Sequence, residues 1–496
     1  MKLFVRIAAM VLTFSMILAC FASCGTIKGE KALKKLEELL EASENFYKNE
    51  MLIESEQTLN LSGEISGSSI SSKQEIEGTL VHIDSDDGNF THLKNYDVKI
   101  TTTESDEKEN IEKYSTMEGF VNGNIIYHHK PINSSRSAIS LKTSCAVEDY
   151  KKIIENEEAL SPNLDCEHFD ETEIKKNRSD GVWEISVLDL KEEGTNEIQK
   201  WIDLSFARTG LCLKVSSVEL KYEIDTETGA MVSSYLYVKA KSTVYDGVTF
   251  SLTTKEKYSL PTDFDPSSVN IDDYDKDTDL KSLMNARNSL MNFLSLNNDS
   301  SFKFTSSTSV IQGNYTILSG TKEIDTVQMG TVDEKFVYYI ESIVKTSSNL
   351  ANFTISYDGE NQTIQSDSIE PQVEEKSQLE AKAYIASSMM NPFFFSLDSI
   401  KKARTNVIQN SLTVTLQLSD TGLLDQIFAQ TGMSTDSVYS PNVNLEICIN
   451  TETHQLISVT YSGIATYSVD TGSYTININA QISDFAQPDL SVFEDQ

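Results

Sequence analysis

The run Leu412-Thr413-Val414-Thr415-Leu416-Gln417-Leu418 places an apolar side chain at every second position, and Ile476-Asn477-Ile478-Asn479-Ala480-Gln481-Ile482 does the same. A period of two sends successive side chains to opposite faces of a strand, so one face meets a core and the other meets water. Thr58-Leu59-Asn60-Leu61 and Phe302-Lys303-Phe304-Thr305 carry the same alternation. Strands that are wet on one side suit antiparallel sheets, and the dipeptides Asn122-Gly123 and Asp358-Gly359 are hairpin-turn chemistry.

Other stretches have helical spacing. Leu33, Leu36, Leu40 and Phe46 lie near one stripe, with Lys34, Lys35, Glu37, Glu38 and Glu41 on the remaining faces. Leu280, Leu283, Leu290 and Phe293 form a second stripe, and Asp277, Thr278 or Asp279 is placed to cap its first turn. Further helices are expected over Ala146–Leu160, Asn196–Ala207, Leu379–Met390 and Thr421–Thr431. Each stripe must be buried against something, and the alternating segments supply it. The expected fold class is α+β: two tandem antiparallel sheets, each covered by a leading helix and by inserted helices.

Two copies are expected because short segments recur. Ile224-Asp225-Thr226-Glu227-Thr228 returns as Ile449-Asn450-Thr451-Glu452-Thr453, an offset of 449 − 224 = 225. At the same offset Asp246-Gly247 meets Thr471-Gly472. Upstream, Val121-Asn122-Gly123-Asn124 aligns with Tyr357-Asp358-Gly359-Glu360 at 359 − 123 = 236, and Trp183-Glu184-Ile185-Ser186-Val187 with Leu412-Thr413-Val414-Thr415-Leu416. The shrinking offset assigns longer loops to the first copy. The boundaries that follow are a signal peptide over 1–23, a tether over 24–29, a first unit over 30–265, an acidic linker over 266–278 and a second unit over 279–496.

The signal peptide is read from Met1-Lys2-Leu3-Phe4-Val5-Arg6, an apolar run from Ile7 to Leu18, and the exit Ala19-Cys20-Phe21-Ala22-Ser23-Cys24-Gly25. The apolar run is too brief to span a bilayer comfortably, and no later one is long enough. A cysteine directly after small residues is the thiol that lipoprotein maturation acylates. Cys24 in Phe21-Ala22-Ser23-Cys24-Gly25 fits that pattern better than Cys20 in Ile17-Leu18-Ala19-Cys20, which stays the alternative. The expectation is a lipid-anchored protein on the extracytoplasmic side of a bacterial cell membrane, with a covalent lipid such as palmitate as its membrane contact.

Formal net charge is −34, and −34 − 2 = −36 once Lys2 and Arg6 leave with the signal peptide. Such a chain repels phosphate backbones, so nucleic acid is excluded as a partner. The acidity is spread along the chain, which serves solubility. Cys145, Cys166, Cys212 and Cys448 are too sparse for a disulfide scaffold. Cys212 and Cys448 sit in apolar runs as small hydrophobes, whereas Cys145 and Cys166 lie in polar sequence and could pair.

Catalytic constellations are missing from the sequence. His82, His92, His128, His129, His168 and His454 show no metal-ligand spacing, and no cofactor or metal is expected. His128 and His129 would point to opposite faces of a strand, as ordinary surface polarity. Asp275-Lys276-Asp277-Thr278-Asp279 lacks the glycine and the glutamate of a calcium loop, with Leu280 and Ala286 in their places. Ser319-Gly320-Thr321-Lys322 and Ser342-Ile343-Val344-Lys345 fit Ser-x-x-Lys without its companion motifs. The expectation is a non-enzymatic protein. One segment, Met389-Met390-Asn391-Pro392-Phe393-Phe394-Phe395, reads either as core or as the wall of an apolar groove, in which case Met389, Met390, Phe393, Phe394 and Phe395 would line it.

The leading helix, long antiparallel sheet, inserted helices, Tyr357-Asp358-Gly359 hairpin and closing turn Ile224-Asp225-Thr226-Glu227-Thr228-Gly229-Ala230-Met231-Val232 together resemble the LolA-like and LppX/LprG-like bacterial lipoproteins, over nearly the whole mature chain, twice. The second copy departs from the first with His454 in place of Gly229. The resemblance implies a curved half-barrel sheet whose hollow is covered by helices and takes a lipid or other apolar ligand. The alternative is a module with filled cores that presents a surface to an envelope protein, and sequence does not separate the two.

Overall fold

The structure, a computed structural model, describes residues 26–494 apart from 66–67, 86–88, 104–108, 133–137, 156–163, 178, 207–210, 278, 295, 297–298, 313–314, 334, 347–348, 367–368, 396–398, 420–437 and 470–471. Cys20, Cys24 and the stretch Thr421–Thr431 lie outside the described residues. The chain divides into two units, one of residues up to Ile202 with Leu213–Leu280, the other of Lys281 onward with Asp203–Cys212.

The first part of the chain runs through β1 (Ile27–Lys28), α1 (Glu30–Phe46), β2 (Glu50–Ile65), β3 (Ser68–Asp84), β4 (Phe90–Thr103), β5 (Glu109–Val121), β6 (Asn124–Pro131), β7 (Ile139–Ser144), α2 (Val147–Glu155), β8 (Phe169–Asn177), β9 (Val182–Leu190), α3 (Glu192–Phe206), β10 (Leu213–Asp225), β11 (Met231–Ser242), β12 (Thr249–Ser259) and β13 (Asp275–Lys276). Its 13-stranded sheet has the order β1-β8-β9-β10-β11-β12-β2-β3-β4-β5-β6-β7-β13. The β7–β13 pair is parallel, whereas neighbours such as β2–β3 and β12–β2 are antiparallel.

The second part contains α4 (Leu280–Leu294), β14 (Ser300–Gln312), β15 (Tyr315–Val332), β16 (Lys335–Lys345), β17 (Leu350–Tyr357), β18 (Asn361–Ser366), β19 (Ile369–Glu375), α5 (Gln378–Ile385), β20 (Ile400–Ile408), β21 (Ser411–Leu418), β22 (Val438–Asn450), β23 (Leu456–Val469) and β24 (Gly472–Ala486). Its 11-stranded sheet is ordered β19-β18-β17-β16-β15-β14-β24-β23-β22-β21-β20. Without β1 and β13 the first sheet follows the same order strand for strand, β8 standing where β20 stands and β2 where β14 stands.

This corrects the expected α+β class. Both units are mainly β, built on sheets of 13 and 11 strands, and their helices do not form covering layers. The leading helix α1 lies against β1 and β8 at one edge of the sheet. It buries Ala32, Leu36, Leu39 and Ser43, so its inward face is rotated from the expected stripe and Phe46 is exposed. In the second unit the expected stripe of α4 is buried, with Phe293 packed edge-on against Phe302 and Phe485. The alternation itself is honoured: β21 buries Leu412, Val414, Leu416 and Leu418 and turns the residues between them outward.

The recurring pentapeptide makes the same turn in each unit. Asp225 Oδ1 accepts from the backbone amides of Glu227 and Thr228, and Asn450 Oδ1 from those of Glu452 and Thr453. The Thr226 amide donates to Gly181 O and the Thr451 amide to Asn410 O. The turn closes in a left-handed residue, Gly229 at φ 74° and His454 at φ 56°. Helix α1 reaches the first turn when Ser43 Oγ accepts from the Met231 amide, and α4 reaches the second when Ser289 Oγ donates to His454 O. The hairpins aligned by sequence differ by one residue. Asn122 and Gly123 are the loop of β5–β6, both at positive φ, whereas the pairing of Tyr357 with Gln362 makes Gly359 and Glu360 the loop of β17–β18.

Residues 266–278 are not a free linker. After β12 the chain turns back across its own sheet, and Phe264, Val269, Ile271 and Tyr274 pack onto Leu93, Val121 and Ile126. These four side chains are half-buried, so each contributes only part of the about 1.5–3 kcal/mol of a fully buried one. Asn122 Nδ2 donates to Pro266 O, Lys142 Nζ to Ile271 O, and β13 pairs with β7 at the far end. On the opposite face, Tyr150 of α2 packs against Phe90 and Phe120.

Candidate functional site: a cavity beneath a strap in the first unit

Two transverse rows of side chains on one face of the first sheet make the floor. Strand register sets Leu52 opposite Val81, Val81 opposite Leu93, and Leu93 opposite Gly119. One step along, Glu54, Thr79, Asn95, Met117, His128 and Ser140 stand side by side on six successive strands. Gly119 is required there, because a Cβ would meet His92 O at 2.0 Å. The segment from Ser259 to Tyr274 is the roof, and a cavity of about 820 Å³ lies between roof and floor. That volume suits a ligand of small-molecule size.

The strap is pinned at its β5–β7 side by the bonds of Asn122 and Lys142 and by the Tyr274 hydroxyl, 3.5 Å from Met117 Sδ. One floor row, Leu52, Val81 and Leu93, is apolar and the other is mostly polar, while Glu54, Asp263 and Asp273 are exposed at the rim. His128 Nδ1 lies 2.8 Å from Ser140 Oγ, and its ring meets Tyr274 edge-on at 6.3 Å. Burial, then the nearby Lys130 charge, holds the His128 imidazole below its ordinary pKa, so the ring is neutral at neutral pH.

Sequence reasoning did not find this site. The segment Met389–Phe395 lies elsewhere: Met390 and Phe393 are 0 % exposed, Met389 and Phe395 are buried, and Phe394 is half-buried. Here α5 widens into a π-turn over Ala386–Met390 and then a tight turn over Asn391–Phe393 that packs against β23. His128 and His129 do face opposite ways, yet neither is simple surface polarity. His128 lines the cavity, and buried His129 bonds Thr116 Oγ1 on the other face at 3.0 Å. Cys145 and Cys166 are not joined in a disulfide. Among the described residues no group of three or more His, Cys, Asp or Glu side chains could hold a metal ion, and no helix is long and apolar enough to cross a membrane.

Each unit also buries titratable groups on the face against which α2 or α5 packs. In the first, His82 Nδ1 and His92 Nδ1 are 3.4 Å apart, and His92 Nε2 has no partner among the described residues. Burial holds His92 down at about 3. In the second, Asp325 is 1 % exposed and one of its oxygens has no partner among the described residues. Burial, reinforced by Glu323, pushes its carboxyl up to about 6, against a hydrogen bond from Ser342.

No protein-family model and no curated protein matches the chain. Among solved structures, the translocator domain of the autotransporter NalP from Neisseria meningitidis is 6% identical, with 91% of this chain and 94% of that chain covered and a TM-score of 0.10. OccK2 (OpdF) of Pseudomonas aeruginosa, solved with glucuronate, is 7% identical, with 88% and 95% covered and a TM-score of 0.13. OccK5 (OpdH) of the same organism is 8% identical, with 89% and 98% covered and a TM-score of 0.14. At TM-scores this low none of these likenesses bears on the fold or function of this chain.

Proposed function

We propose that the chain is a non-enzymatic cell-envelope protein, anchored by lipid on Cys24, with Cys20 as the alternative, that holds a ligand with an apolar body beneath the strap of its first unit. The cavity of about 820 Å³ carries this reading. Its apolar floor row of Leu52, Val81 and Leu93 and its polar rim suit such a ligand, and the basic, apolar and small-residue N-terminal segment supports export and anchoring. Duplication of one eleven-strand unit accounts for the shared strand order, the second copy keeping a filled core at Met389–Phe395.

Native mass spectrometry of gently purified protein tests the binding reading. A bound small amphiphile, lost when Thr79→Trp fills the floor, is the expected result, and the bare polypeptide mass in repeated preparations would sink it. Labelling cells with palmitate tests the anchor: Cys24→Ala loses the label and Cys20→Ala keeps it, and a label retained by Cys24→Ala excludes that assignment.

A further inference from the structure

Resting on the strap cavity as a binding site, we propose that its ligand is a cationic amphiphile, an alkylammonium or quaternary ammonium group on a hydrocarbon body. Three observations converge. First, Leu52, Val81 and Leu93 form a continuous apolar patch on the floor, the surface a hydrocarbon body requires. Second, Glu54, Asp263 and Asp273 border the same space, and among the described residues none of these carboxylates has an ion pair or a hydrogen bond. Unpaired carboxylates around one opening attract a positive group and repel a carboxylate or phosphate. Third, the roof offers the rings of Phe264 and Tyr274, whose faces attract an ammonium group.

The alternative head group finds no partner. Neither lysine nor arginine lines the cavity. Of the nearby cations, Lys142 is engaged with Ile271 O and Asp272, while Lys130, two residues from His128, and Lys257, across from Glu54 in the register, stand outside the lining. His128 is the one lining side chain that could become cationic, and it faces Ser140 and the Tyr274 ring. A fatty acid would therefore enter with its charge uncompensated beside three like charges.

Isothermal titration of the full purified chain with decyltrimethylammonium, decanoate and decanol, each below its micelle concentration and at low salt, tests the assignment. Decyltrimethylammonium is expected to bind at least about tenfold more tightly than decanoate. The triple variant Glu54→Gln, Asp263→Asn, Asp273→Asn changes only exposed side chains and should bring the three affinities together. Equal binding of decyltrimethylammonium and decanol, or a preference that survives the triple variant, overturns the head-group assignment and leaves the cavity standing. Binding of no probe, or binding untouched by Thr79→Trp in a protein whose circular dichroism is unchanged, overturns the cavity itself.

Discussion

The two units have the same eleven strands in the same order and finish them differently. In the first, each sheet edge is covered by a two-residue strand, β1 on β8 and β13 on β7. In the second, among the described residues, the edges are β19 and β20, which carry Pro371 and the pair Lys401 and Lys402, residues that discourage further pairing. The segment after the last strand differs too. After β12 it crosses the sheet and roofs a cavity, whereas after β24 the Asp489 amide bonds Gln328 Oε1 of β15. Equivalent rows have also diverged. Register matches His92 and Phe120 with Tyr338 and Tyr357, and the helical rings of Tyr150 in α2 and Tyr384 in α5 pack against His92 and Tyr338 respectively. One strand order therefore carries a packed cluster on its helix-bearing face in both units, and in the first the connector adds a strapped cavity on the other face.

The comparison breaks most visibly at its cores. Phe120→Ala removes a ring that is 1 % exposed and packed against Tyr150 at 5.1 Å, and should cost about 3–5 kcal/mol. If the units fold separately, scanning calorimetry shows one transition moving and the other staying. Movement of both together merges them into one cooperative block.

Acid should act on the two units with opposite signs at these sites. His92 titrates near 3 in the fold against an ordinary 6.5, so the unfolded chain takes the proton first. Its contribution is intact above pH 6.5 and lost as pH falls toward 3, so His92→Phe should gain about 3 kcal/mol over the parent at pH 4 relative to pH 7. Glu44, pushed up to about 6 by burial and then by Glu41, works the other way in the same unit, and comparison of variant with parent cancels it. Asp325 rises from 3.8 to about 6, so its contribution is present below pH 3.8 and lost as pH climbs through 6. Asp325→Asn should therefore stabilise the second unit at pH 7 by about 1–2 kcal/mol and give no such gain at pH 4. Equal effects at both pH values in denaturant titrations would remove the contrast.

The smallest effect lies in the shared turn. Gly229→Ala should cost about 1 kcal/mol, because the residue sits at φ 74° and its new Cβ would lie 3.0 Å from the Ala42 methyl. His454→Gly should change stability by only a few tenths, relief of the left-handed backbone being offset by lost chain entropy.

The strands were legible because alternation is local: Leu412–Leu418 names its own inward face. The pentapeptide turns were legible for a similar reason, since an Asp or Asn two residues before a backbone amide dictates its bond. The helices were over-weighted. Leu33, Leu40 and Phe46 looked like a stripe, but α1 packs mainly at the β1–β8 edge and the Asp225–Gly229 turn and buries the narrower line of Ala32, Leu36, Leu39 and Ser43. The cavity was invisible because its floor is drawn from β2 to β7 and assembled only by register. One signal was present and misread. Residues 264–274 carry Phe264, Val269, Ile271 and Tyr274 among acidic neighbours, more large apolar side chains than a solvated connector would hold.

The strand β1 begins at Ile27, three residues after Cys24. An extended chain advances about 3.3–3.6 Å per residue, so an acyl group on Cys24 would sit within roughly 10 Å of the sheet margin. Any pull between bilayer and protein would then load the short Ile27–Lys28 pairing with β8 directly, with almost no slack to absorb it. Were Cys24 the acylated residue, as proposed, the first unit would ride near the height of the lipid head groups.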